Sequence, residues 1–185
     1  MEDTLEDRTR AIARALRQMG RRIEAEDDSE LLFWVLPGQL ACSHRPLRYN
    51  RYYGGSLRNL DPEAAPLVIE WAARIRSEGI KSIICLMNPK EVGFYGGLDL
   101  GANDLIEFYR AQGFDVCWLP WEDPAHSKAD KAVKRRSLAE NREKAIAAFR
   151  DLPKPVLLHC SAGEDRSAPV AAYIEARLMK TSGPH

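Results

Sequence analysis

Apolar positions along the chain change rhythm several times, and each change marks an element. Over residues 3–23, Leu5, Ile12, Leu16, Met19 and Ile23 recur at spacings near four and seven, the stripe of an amphipathic helix. Acidic residues open it and arginines crowd its later turns, an order that suits the helix dipole. Such a stripe is expected to pack on the rest of the chain. The run Glu24-Ala-Glu-Asp-Asp-Ser-Glu30 breaks it and reads as a solvated linker. Residues 31–36 form a continuous apolar strand, and Pro37-Gly38 turns the chain into a second extended run over 39–42. A polar loop fills 43–60, with His44 expected to be exposed on it. Asp61-Pro62 caps a helix that runs to Glu78 and stops at Gly79. Pro66 inside that span can move its true start by one turn.

From residue 80 the alternation becomes regular. Apolar strands at 80–87, 114–119 and 155–159 alternate with helices at about 103–112, 128–150 and 166–179, and a glycine-rich loop comes after the first strand. Continuous apolar strands between helices predict an α/β fold, a mainly parallel central sheet with helices on both faces. The N-terminal helix and acidic linker (1–30) are set apart from a main domain over 31–185.

Composition narrows the function classes. At 185 residues and 45% hydrophobic content the chain has material for one real core. Its 27 basic residues balance 27 acidic ones, so it lacks the basic excess that a nucleic-acid partner would need. No apolar run approaches membrane-span length, and the acidic start has no signal-peptide pattern, which predicts a cytoplasmic protein. The four cysteines form no CxxC pair, so neither a disulfide scaffold nor a metal site is expected. Cys85 and Cys117 lie in strand-like runs and read as buried thiols. Cys160 differs because of its neighbours in the chain.

The segment His159-Cys-Ser-Ala-Gly-Glu-Asp-Arg-Ser167 joins a buried strand to an apolar-periodic helix. That places residues 160–166 at the carboxyl edge of a parallel sheet, where open α/β folds hold ligands. Backbone amides there, with a helix N-terminus behind them, favour a phosphate or sulfate dianion. Within this loop Cys160 supplies a nucleophile that acts as its thiolate. Arg166 supplies a planar fork for two phosphate oxygens, and Gly163 allows a tight turn. Ser167 is placed to donate to the sulfur as it leaves, and His159 to position the cysteine backbone. Hydrolysis also needs a proton for the leaving oxygen. The strand at 114–119 runs into Pro120-Trp-Glu-Asp-Pro124 at the same sheet edge, which makes Asp123 the candidate acid, with Glu122 and then Asp130 behind it.

His159-Cys160, five residues, then Arg166-Ser167 resembles the signature loop of protein-tyrosine phosphatases, with Gly163 where that family usually has glycine. Trp121-Glu-Asp123 resembles the family's acid loop, at a separation from the cysteine found in compact dual-specificity members. The resemblance spans about residues 31–180. It implies a dual-specificity-phosphatase-like fold that needs no metal or organic cofactor. It also implies phosphate binding by Ser161, Ala162, Gly163, Glu164, Asp165 and Arg166, and a phosphorylated protein or small phosphomonoester as substrate. The loop interior, Glu164-Asp165, is acidic where many relatives are not, which disfavours polyanionic substrates. Aspartate before the arginine also occurs in atypical bacterial phosphatases that act on phosphotyrosine and lipids, so Asp165 is an alternative acid. Pro169, unusual for the family, fits only in the helix's first turn. Two other readings stay open: a catalytically idle phosphate-recognition module, and a sulfurtransferase or arsenate reductase.

Overall fold

The structure is a computed structural model that describes residues 4–55 and 58–181. The sequence-predicted start of the first helix at residue 3, and part of the 43–60 loop, lie outside the described residues. Helix α1 (Leu5–Glu24) begins at Thr4, whose hydroxyl and the Asp7 carboxylate cap each other's backbone amides. Strands β1 (Phe33–Leu36) and β2 (Leu40–Ser43) form an antiparallel pair around the Pro37-Gly38 turn. Asp61 caps a short 3-10 turn, and α2 (Ala65–Ser77) comes next, so the Asp61-Pro62 start is displaced by about a turn, with Pro66 in the first turn.

The rest of the chain alternates as its pattern predicts. Strand β3 (Ser82–Cys85), helices α3 (Pro89–Gly93) and α4 (Leu105–Ala111), and strand β4 (Asp115–Trp118) come first. Helix α5 (Lys131–Asp151), strand β5 (Val156–His159) and helix α6 (Ser167–Thr181) close the order. Helix α3 is new relative to the sequence expectation of a glycine-rich loop. Pro169 falls in the first turn of α6, where a missing amide costs nothing. No described helix is long and apolar enough to cross a membrane.

The sheet order is β1-β2-β5-β3-β4, with every neighbouring pair parallel except β1 with β2. Side chains alternate across it. Ala41, Ile83, Cys85 and Leu157 face a core with α2, α3 and α4, built around Trp71, Phe108 and Tyr109. Cys42, Ile84, Val156 and Leu158 face the second core, with α1, α5 and α6. Helix α1 buries Ile12, Leu16 and Met19 there, each contributing on the order of 1.5–3 kcal/mol. It also ties to α6 through a two-pronged ion pair of Arg8 with Glu175.

This topology sets the site. Ser43, His159, Cys85 and Trp118 are cross-strand partners in one row at the carboxyl ends of β2, β5, β3 and β4. Every loop that leaves this row therefore opens on the same edge of the sheet.

Candidate active site

Cys160 comes directly after β5 and is 2% exposed. Its Sγ accepts a hydrogen bond from the Gly163 amide at 3.2 Å, so the chain curls back over the sulfur within three residues. Gly163 makes this turn at φ +81°, and a Cβ there would lie 3.0 Å from Leu16 of α1 and 3.3 Å from the Ser43 carbonyl. Conformation and space both demand glycine. The amides of Ser161, Ala162, Glu164 and Asp165 donate to no protein acceptor among the described residues. The loop then enters α6, with Ala168 N bonded to Gly163 O at 3.0 Å.

Arg166 is the largest fully buried side chain among the described residues. Glu91 grips it with two bonds of 2.6 Å, and the carbonyls of Trp121 and Leu86 accept from Nη1 at 3.0 and 3.2 Å. Asp123 reaches Nη2 at 3.4 Å. Nε is buried and has no hydrogen-bond partner among the described residues, and the same holds for the Ser167 hydroxyl. Burial works against the arginine's charge, but the Glu91 bonds override it and hold the pKa above the ordinary value. Burial would likewise raise the Glu91 carboxyl, and Arg166 pulls it below its usual range. The fork is locked on one side and free at Nε.

Each proposed acid has a distinct setting. Asp123 caps its own turn, accepting from Ala125 N at 2.9 Å, and turns its other oxygen to Arg166. Glu122 is exposed and bonds Asn88 at 3.1 Å. Asp130 is the N-cap of α5, accepting from Val133 N, which accounts for it structurally. Asp165 has its pKa raised by burial of the carboxyl, then by the neighbouring Asp123 and Glu164 charges. The residue as a whole is exposed. Glu164 does not confront the site with a bare charge, because Arg17 of α1 forks onto it, with Nε 2.9 Å from Oε2.

His159 lies wholly inside the protein. Its Nδ1 donates to the Cys160 carbonyl at 3.0 Å, which leaves Nε2 to accept from the Tyr109 hydroxyl at 3.1 Å. Its ring thus fixes the Cys160 backbone. His44, expected in an exposed loop, is instead 3% exposed, because α1 covers it and Leu16 O bonds its Nε2 at 2.8 Å. Burial lowers both histidine pKa values to about 4 from 6.5. As pH falls through the window from 6.5 to about 4, the unfolded chain binds protons that the folded one refuses. Stability should therefore drop over that window by up to roughly 3 kcal/mol per histidine. Urea unfolding at pH 7 and pH 4.5 checks this, and an unchanged midpoint contradicts it. Glu91, held low by Arg166, releases its contribution only at lower pH.

Sequence reasoning missed Glu91, Arg45 and Tyr109. Glu91 had a readable signal: Asn88-Pro-Lys-Glu91 is a capping box with proline at the first helical position. Arg45 and Tyr109 had none, since their partners are distant in the chain. Chemically, the site offers a sulfur in a loop with unpartnered backbone donors, a locked guanidinium with Nε free, and two carboxylates nearby, Asp123 and Asp165. Comparison with protein-family models returns no match, and comparison with the curated proteins returns none.

Proposed function

We propose that the chain is a cysteine-dependent phosphatase of the protein-tyrosine-phosphatase type, with a dual-specificity-like fold. Its substrates are phosphotyrosine monoesters, with phosphoserine and phosphothreonine where the cleft admits them. The observation that carries this reading is the set of donors around Cys160: the unpartnered loop amides, the Arg166 Nε and the Ser167 hydroxyl. Buried side-chain donors without partners are rare, and Arg166 Nε and Ser167 in the same loop as Cys160, with the unpartnered amides between them, suit the oxygens of a phosphoryl group. All four cysteines are unpaired, which fits a thiol-reducing compartment such as the cytoplasm.

In the proposed reaction the Cys160 sulfur attacks phosphorus and the ester oxygen departs with a proton from a carboxylic acid. Water then attacks the cysteinyl phosphate, the same carboxylate takes a proton from it, and phosphate leaves as the S–P bond breaks. Ser167 donates to the departing sulfur, and His159 holds its backbone. Asp123 is the acid in our reading, because it stands on the β4 loop beside Arg166. A second reading gives that role to Asp165, whose raised pKa keeps it protonated to higher pH.

Turnover of p-nitrophenyl phosphate and of phenyl phosphate, measured across pH, tests the proposal. Asp123→Ala should lower kcat on phenyl phosphate by about 10²–10⁴-fold, less on the nitrophenyl ester, and remove the alkaline limb. If Asp165→Asn does this and Asp123→Ala does not, the loop aspartate is the acid. A wild-type protein that binds phosphate but turns over neither ester is an idle recognition module. Turnover of thiosulfate or arsenate in their place supports the sulfurtransferase or reductase reading.

A further inference from the structure

Arg45 lies just past β2 and is 2% exposed, yet every group it bonds is neutral. Nε donates to the Ser161 hydroxyl at 3.3 Å, Nη1 to the Tyr95 hydroxyl at 2.9 Å, and Nη2 to the Gly55 carbonyl at 2.6 Å. Its backbone amide holds the Ser161 carbonyl at 3.0 Å. The rings of Phe94 and Tyr95 lie 5.6 and 5.7 Å from its guanidinium carbon. Arg166, Arg8 and Arg17 each pair with a carboxylate, whereas no ion pair involves Arg45 among the described residues. Glu91 feels the Arg45 charge, but both its oxygens are taken by Arg166.

A buried cation without a counterion is costly and persists only where something offsets it. The contacts of Arg45 run to Ser161, the residue after the nucleophile. We propose that Arg45 is a positioning residue of the anion loop, holding Ser161 by side chain and backbone, and that its charge is offset by the anion bound over Cys160. The protein thus brings two arginines to one anion, one neutralised by Glu91 and one not. This rests on the phosphatase reading only in taking that anion to be a phosphoryl group.

The test is alkylation of Cys160 by iodoacetate, an anion, against iodoacetamide, its neutral analogue, read on the Cys160 peptide by mass spectrometry. Arg45→Gln, which keeps hydrogen-bond donors, should lower the iodoacetate-to-iodoacetamide rate ratio about tenfold. It should also weaken inhibition of the iodoacetamide reaction by inorganic phosphate about tenfold. Arg45→Lys should hold the ratio within about twofold of wild type, because the charge stays. A purely structural role slows both reagents alike, so an unchanged ratio in Arg45→Gln overturns the proposal. If Arg45→Gln does not fold, the lysine variant decides: a preserved ratio supports the charge, and a tenfold fall with the charge retained overturns it. A wild type that hydrolyses no ester would sink the phosphatase reading and leave this ratio to judge Arg45 alone.

Discussion

Cys160→Ser removes aryl phosphate hydrolysis, lowering kcat by on the order of 10⁵-fold or more, while inorganic phosphate still binds. The size of the effect comes from chemistry. A serine hydroxyl stays protonated where a thiol can ionise, and His159 cannot act as its base, with Nδ1 on the Cys160 carbonyl and Nε2 on Tyr109. Binding survives because the loop amides, Arg166 Nε and Ser167 are untouched. The fold survives as well, since a serine oxygen accepts from the Gly163 amide as the sulfur does. Calorimetric titration with phosphate and a p-nitrophenyl phosphate assay on the same sample check both halves. Residual turnover within about tenfold of wild type would remove Cys160 from the chemistry.

Arg166→Ala damages both catalysis and folding, and the two effects can be separated. Loss of the fork should cost on the order of 10³-fold in kcat/KM, as expected for a donor aimed at developing charge. It also strands Glu91, 5% exposed, without the cation that holds its carboxylate ionised. Breaking a buried pair by removing one partner destabilises by about 3–5 kcal/mol. The double variant Arg166→Met/Glu91→Leu fills similar space with apolar groups and should regain most of that stability. It should regain none of the activity. Urea unfolding and kcat/KM on the wild type, the single variant and the double variant give the answer. Recovery of activity with stability would mean that Arg166 only holds the fold.

The central strands that build the site were legible because they are apolar runs buried on both faces, such as Val156–His159 between β2 and β3. The loop was legible for a different reason: its chemistry is written in consecutive residues, 159–167. Helix α3 was not legible from periodicity, because five residues among glycines carry too little of it, and only the Asn88–Glu91 capping box marked its start. With it went Glu91, whose partner is Arg166, far along the chain. The burial of His44 was hidden similarly, since its cover comes from Leu16 on α1. The acidic character of Glu164 looked like a departure from the resembled family. Its meaning changes with Arg17, which α1 brings to the loop only in three dimensions.

The most direct test is to quench p-nitrophenyl phosphate turnover in acid within milliseconds and search the peptides for a phosphoryl adduct. We expect it on the Cys160 peptide, formed at the rate of the nitrophenolate burst and absent in Cys160→Ser. Turnover with a burst but no adduct on that peptide, or an adduct at another residue, would contradict the account.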